Sequence, residues 1–356
     1  MIAALDAPKR NEIEVSVFGK GIGECSVVHI GNGKWVVVDS FLDDSGVPIA
    51  RSYLEKLGFG GNSIELVVLT HWHDDHIKGA SSLLSWAPEA LVSYPSVLSQ
   101  DEFRAAIQRA SPAAGTAYTS GVHELARVSS ALKERPDTRR LALSQRTIYE
   151  SELAKVITLS PSDEDIELFL NEISNWPTAN DVVTVLKKPN RNDTSVATLI
   201  DIDGTQLLFG ADLEIRGELS GWQAVHDLYW NGRPPCSFYK IAHHGSPNAH
   251  YIPKWRNMLQ NNVYAVLTPY GRGRTPRPSN DDVTRINSET QNGFSAGRTN
   301  LMRSRREHNS VRRTLSDASI ELKRICQKLG HVRLRLARGE LEWRSDLIGE
   351  AVQLAP

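Results

Sequence analysis

Residues 70–78, "THWHDDHIK", hold three imidazoles and two carboxylates within six positions, directly after the apolar run "IELVVL". Withdrawing so many titratable groups from water is costly unless something compensates their charge. His71 and His73 are two residues apart, so both side chains face one way in an extended segment leaving a strand. Asp75 and His76 follow as the chain turns into a helix and aim two more donors at an adjacent point. Imidazole and carboxylate together suit Zn²⁺, and also Mn²⁺ or Fe²⁺. A solvated polar loop is the ordinary reading of such a cluster, but it fits poorly beside a buried strand.

A metal centre needs donors from elsewhere in the chain. "TQLLFGAD" ends an apolar strand pattern on Asp212, and "SFYKIAHH" ends another on His243 and His244. A lone Asp at such a place is commonly a turn or a helix cap. An adjacent histidine pair is a stronger signal, with one member a ligand and the other beside it or against the substrate. Either can be the ligand; His243, the first after the strand, is the expected one. His244, with Ser246, is then left to touch the substrate oxyanion or the leaving oxygen.

The elements that must position these residues can be read from periodicity. "EIEVSVFG", "SVVHIG", "KWVVVD" and "SIELVVLT" read as strands, the middle two joined by a turn at Asn32-Gly33. Helices are expected over "VPIARSYLEKLGF" and "IKGASSLLSWA". Residues 97–175 look mainly helical ("SQDEFRAAIQRA", "VHELARVSSALKER", "SDEDIELFLNEI"), with no convincing strand run. Strands return in "DVVTVLKK", "SVATLIDIDG", "TQLLFGAD", "SFYKIAHHGS" and "NVYAVLTP", with a helical "GWQAVHDLYW" among them. "HVRLRLARGELEW" alternates like a closing hairpin.

Bulk properties narrow the class. The 356 residues are 40% apolar and 23% charged with a net charge of −1, so the chain reads as globular and carries no overall bias toward polyanions. Cys25, Cys236 and Cys326 are scattered and lack the spacing of a thiolate metal site or a disulfide framework, which fits a reducing cytoplasm. No signal peptide or membrane span is expected. Residues 270–338 hold sixteen Lys/Arg against six Asp/Glu, as in "RTNLMRSRREHNSVRRTL". This stretch is either a solvated surface or a phosphate-binding one.

Taken in order, "HWHDDH", "LLFGAD" and "IAHHGS" resemble the signature of the metallo-β-lactamase fold hydrolases. Within that superfamily, "GKGIGECSVVHI", "NDTSVATLIDIDGTQLLFGAD" and "HHGS" look most like the metallo-hydrolase domain of competence-type DNA-uptake proteins (the ComEC kind), which has been associated with nuclease activity. The resemblance covers roughly residues 14–270. It implies an α/β fold, a four-layer αββα sandwich, with a helical insertion (97–175) inside a hydrolase domain of residues 1–270. An Arg-rich extension of residues 271–356 would follow.

It also implies one or two Zn²⁺ ions, with Mn²⁺ as the other candidate. His71, His73 and Asp212 would hold one, completed by Asn192 or water. Asp75, His76, Asp212 and His243 would hold the other. Asp39, closing "KWVVVD", would orient a metal-bound histidine. With a single ion, Asp75 would act as general base. Asn192 stands where many superfamily members have a further histidine, and His123 lies in a helix and reads as structural. The absent lactamase cysteine and the position of the insertion disfavour antibiotic hydrolysis and the β-CASP nucleases.

Three functions are therefore weighed. The first is a metal-dependent phosphodiesterase or nuclease whose substrate is nucleic acid or another phosphodiester. The second is a hydrolase of a small ester, thioester or lactone, with the insertion as a lid. The third is a partner-regulated effector on a metal-stabilised fold, docking a protein through the insertion or the extension.

Overall fold

The computed structural model describes residues 6–99, 120–174, 191–271, 276–298 and 328–354. Two eight-stranded sheets lie face to face. The first has the order β16 (Arg344–Gly349), β15 (Gly330–Ala337), β1 (Glu12–Lys20), β2 (Gly23–Gly31), β3 (Lys34–Val38), β4 (Ile64–Val68), β5 (Leu91–Pro95), β6 (Arg139–Ala142). The second runs β17 (Val352–Gln353), β14 (Gly293–Ser295), β13 (Leu259–Leu267), β12 (Cys236–Lys240), β10 (Thr205–Phe209), β9 (Thr198–Ile202), β8 (Lys155–Thr158), β7 (Arg146–Glu150). A three-residue strand, β11 (Ile215–Gly217), lies outside both.

Strict alternation builds the layers. In β3, Val36 and Val38 face the second sheet and pack with Ile200, Leu207 and Phe238, while Trp35 and Val37 turn outward. The outward face is covered by Tyr53 and Leu54 of helix Ile49–Lys56, Leu83 and Leu84 of Ala80–Trp86, and Leu125 and Val128 of Ser120–Lys133. The second sheet turns Leu199, Leu208, Tyr239 and Ala265 to its own helical cover, where Trp222, Trp255 and Ile286 meet them. The result is an α/β protein with the αββα order of layers. Each fully buried Val, Leu, Ile or Phe contributes roughly 1.5–3 kcal/mol to holding the sandwich shut.

The Asn32-Gly33 turn forms as the sequence predicts: both residues have positive φ (53° and 74°) and antiparallel β2 and β3 flank them. Residues 97–175 differ from the helical expectation. Helices Ser120–Lys133 and Asp163–Ser174 are present, but β6, β7 and β8 lie between them. These strands are only four or five residues long and carry Arg139, Arg140, Arg146, Glu150 and Lys155, so apolar alternation is weak; β6 and β7 are sheet edges, where charge is usual. The expected "HVRLRLARGELEW" hairpin starts with β15, but its return strand is β16, beyond "ELEW". Residues 276–298 and 328–354 supply β14 and β17 to one sheet and β15 and β16 to the other. The "SQDEFRAAIQRA" helix, the "DVVTVLKK" strand and residues 272–275 and 299–327 of the Arg-rich stretch lie outside the described residues. Among the described residues no helix is long and apolar enough to cross a membrane.

Topology gathers the strand ends. β3, β4 and β5 run parallel in the first sheet, and β10, β12, β13 and β14 run parallel in the second. The loops leaving β3, β4, β10, β12 and β13 meet at one rim. The Val196 N–H, just ahead of β9, donates to Thr70 O (3.1 Å) and ties the two sheets together there.

Candidate metal centre

The stretch after β4 is locked before it reaches its histidines. Gly121 N–H, at the start of helix Ser120–Lys133, donates to the Asp74 carboxylate, and a Cβ at Gly121 would stand 2.5 Å from Trp72 O. Only glycine lets the helix approach this closely. Ser40 N–H donates to His76 O (2.8 Å), which joins the turn after β3 to the short helix Asp74–Ile77.

Asp39, buried at the end of β3, is the hub. It accepts Thr70 N–H (2.8 Å), Thr70 Oγ1–H (2.8 Å) and His76 Nδ1–H (2.7 Å). Because Thr70 spends its hydroxyl proton on Asp39, its oxygen accepts from His71 Nδ1 (3.0 Å). Both imidazoles therefore keep a proton on Nδ1 and aim Nε2 at the centre. On the opposite sheet, His244 Nδ1–H donates to Thr268 O (3.1 Å), so its Nε2 also points inward. Three histidines from two sheets share one tautomer, each set by an acceptor behind it.

Their inward atoms meet carboxylates. His76 Nε2 lies 3.4 Å from Asp75 Oδ2 and 3.5 Å from Asp212 Oδ1; His244 Nε2 lies 3.3 Å from Asp75 Oδ2 and 3.9 Å from Asp212 Oδ2. His71 Nε2 is 3.7 Å from Asp212 Oδ2. His73 approaches through Nδ1, 2.9 Å from His71 Nε2. Two nitrogens on one tetrahedral zinc stand about 3.3 Å apart. Ligand atoms of His71, His76 and Asp212 lie within 4.8 Å of one another, as do those of Glu24, His76 and His244.

The electrostatics ask for a cation. Burial disfavours a charged His76, yet Asp75, Asp212, Asp39 and Glu24 outweigh it and push its pKa well above the usual histidine value. Burial likewise opposes the Asp212 anion, but His76, His244, His243 and His71 hold its pKa below the carboxylate range. His71 goes the other way: burial first, then the neighbouring His76, hold it neutral. At the middle, His76 Nε2 and Asp212 Oδ1 are buried and have no hydrogen-bond partner. A proton satisfies only part of this arrangement. A divalent cation satisfies the bare nitrogens and the anions together, so the residues fit a metal.

The structure brings His71, His73, Asp75, His76 and Asp212 together as the sequence spacing anticipated. It places the two members of the histidine pair differently. His244 is 2% exposed and sits in the cluster, stacked under Tyr270 (4.9 Å, 20°). His243 stands at the rim, with Nδ1 3.2 Å from Glu214 Oε1 and Nε2 3.4 Å from Asn192 Nδ2. The reason is backbone: His243 and His244 both have left-handed φ (47° and 54°), which breaks the alternation an extended exit from β12 would give. Asp39 and Ala211 are also left-handed, so four of the seven such non-glycine residues among the described residues adjoin the centre, each an energetic cost borne by the fold. His123 is exposed on its helix.

Asp39 was legible behind His76, but the group behind His244 was not read as one. Glu24 pairs with Lys240 (2.8 Å) and accepts the Thr268 hydroxyl beneath His244, and all three are buried. The signal was Lys240 itself, a lysine inside the apolar strand "CSFYKIA". Glu214, beside Asn192 and His243, carried none. Behind His71, an apolar cavity runs between β5 and helix Ser120–Lys133, lined by Leu69, Tyr94, Leu98, Leu125 and Lys133 among others.

Comparison with known proteins agrees with this layout. The family model described as the metallo-beta-lactamase superfamily matches residues 18–220. Comparison with curated proteins returns no match. Among solved structures, a metallo-beta-lactamase from Cronobacter sakazakii is similar at 16% identity and a TM-score of 0.34, covering 57% of this chain and 63% of that one. The Rm3 metallo-beta-lactamase is similar at 12% identity and a TM-score of 0.36, covering 67% and 78%. One from Thermotoga maritima is similar at 12% identity and 0.32, covering 56% and 79%. The chain thus spans a little under two thirds of the Cronobacter protein's length.

Proposed function

This chain belongs to the metallo-beta-lactamase superfamily of metal-dependent hydrolases, and from that premise we propose that it is a zinc- or manganese-dependent phosphodiesterase acting on nucleic acid. One observation carries the metal-dependent part: His76 Nε2 and Asp212 Oδ1 face each other at 3.5 Å, buried and without a hydrogen bond. The phosphodiester part is supported by the competence-type motifs and by the Arg-rich stretch of residues 270–338. Its Arg303, Arg305 and Arg306 lie outside the described residues.

Asp75, His76, His244 and Asp212 would hold one ion, and His71, His73 and Asp212 another. When bound, the metal supplies Lewis acidity to water and to the substrate oxygen. The chain's own groups do the rest. Asp39 fixes the tautomers of His71 and His76, and the Glu24–Lys240–Thr268 group backs His244. Of the two roles the sequence allows, a ligand with two ions and a general base with one, Asp75 fits the ligand better. Burial opposes its anion, but His76 and His244 hold its pKa well below the carboxylate range, and so weak a base is a poor proton acceptor. His243 and Asn192 stand at the rim beside Glu214.

A second reading, hydrolysis of a small ester or thioester, is favoured by the apolar cavity beside His71, which would suit an acyl chain. Incubation with plasmid and single-stranded DNA in the presence of Zn²⁺, Mn²⁺ or Mg²⁺ separates the two. Cleavage by the wild type that is abolished in Asp212→Ala is the expected result. Intact DNA alongside turnover of a thioester panel overturns the phosphodiesterase.

A further inference from the structure

The ligands so far named divide unequally. Asp75, His76, His244 and a shared Asp212 give one ion four protein donors, whereas His71, His73 and Asp212 give the other three. Asn192 and His243 stand together at the rim. We propose that His243 is the remaining ligand of the His71–His73 ion, so that both members of the histidine pair bind metal, one at each site. This rests on the metal-dependent reading of the same centre.

Three observations support it. The His243 backbone N–H donates to Ala211 O (2.8 Å), which anchors the residue against the one that precedes Asp212. Its Nδ1 faces an outer carboxylate, Glu214 Oε1 at 3.2 Å, as His76 Nδ1 faces Asp39, and its Nε2 faces the Asn192 amide and not the cluster. Nδ1 is at ion-pair distance from Glu214 without hydrogen-bond alignment, and Nε2 lies 3.4 Å from the Asn192 amide. Neither contact is optimal. This ring, whose side chain is 24% exposed, could therefore give up the Asn192 contact and supply a donor to an ion held with Asp212, keeping Glu214 behind it. The Asn192 amide, which donates to Glu214 at 2.9 Å, would then hold that carboxylate in place.

The test is metal stoichiometry on the full-length protein, stripped with chelator and titrated with Zn²⁺, with folding checked by circular dichroism. Wild type is expected to bind two ions and His243→Ala to lose one of them, its affinity falling at least tenfold. Glu214→Gln should weaken that same ion about 10–100-fold. In Asn192→His/His243→Ala, a histidine on the other side of the gap should restore the second ion, which shows that the single variant failed by losing a ligand and not its fold. A wild type that binds one ion, or a His243→Ala protein that keeps two at unchanged affinity, overturns the proposal while leaving a metal centre. A wild type that binds none overturns the metal-dependent reading as well.

Discussion

Asp39 accepts the Nδ1 proton of His76 at 2.7 Å, and through the Thr70 hydroxyl it also dictates the tautomer of His71. One carboxylate therefore sets the donor atoms of two imidazoles that face different halves of the centre. Asp39→Ala removes that control without touching any ligand. The expected outcome is a 10–100-fold fall in Zn²⁺ affinity in competition with a chromophoric chelator, with the far-ultraviolet dichroism unchanged. Wild-type affinity would mean that the backbone alone orients His76.

Metal removal should cost stability, because His76 Nε2 and Asp212 Oδ1 are buried and lack partners of their own. At Zn²⁺ concentrations about 100 times the dissociation constant, binding to the folded state alone adds ~2.7 kcal/mol. Thermal scans with and without chelator should show the melting temperature falling by several degrees on chelation. In Asp212→Ala the two curves should nearly coincide. A chelator-insensitive wild type would argue that the centre is satisfied without an ion.

The loop carrying the histidine pair is held from beneath by an aromatic and a lysine. Tyr239 Oη accepts the Ala242 N–H (3.1 Å) and the Lys254 ammonium (2.6 Å), which also lies 3.8 Å above the Trp222 ring. Lys254 is fully buried, and burial drives its pKa well down. Tyr239→Phe strands the Ala242 N–H and leaves Lys254 only its bond to Ala249 O (3.1 Å), and should cost about 1–3 kcal/mol in denaturant unfolding. Lys254→Met leaves Tyr239 bonded to Ala242 and should stay within ~1 kcal/mol of wild type. Equal losses from the two variants would show that the ammonium, not the hydroxyl, supports the loop.

How far the sequence reveals this site depends on how local each determinant is. "HWHDDH" and the Asn32-Gly33 turn are decided by neighbours in the chain, and the structure builds both as their spacing suggests. Asp212 is visible as the polar end of an apolar strand. The order of roles at His243 and His244 is not, because two consecutive left-handed residues redirect the rings, and the sequence marks that bend only with Gly245 (φ 83°). The edge strands β6 and β7 are charged and short, so their pairing follows from neighbours that only the fold brings near. β15 alternates plainly, but its partner β1 lies more than 300 residues earlier, with Glu14 opposite Arg335. Glu24, Lys240 and Thr268 likewise come from three strands, and no spacing rule joins them.

Acid should weaken the fold through His331, which lies far from the metal ligands in sequence. Its Nε2 is 2.9 Å from Ser16 Oγ and its ring stacks on Phe18 (4.1 Å). Burial, then the guanidiniums of Arg333 and Arg335, push its pKa down from 6.5 to about 3. Between those values the unfolded chain binds the extra proton and the folded one does not. Stability therefore rises with pH across this window and is lost as pH falls through 6.5 toward 3, with a slope approaching ~1.4 kcal/mol per unit for this group. His29, lowered to about 4, and His250, lowered to about 3, act in the same direction. Asp193, raised by burial to about 6, opposes them, because there the folded state holds the proton. His331→Gln keeps a donor for Ser16 and removes one titration, so its stability, measured by denaturant unfolding, should fall less steeply between about pH 6 and pH 4. Identical slopes for variant and wild type would mean that His331 takes up its proton inside the folded protein.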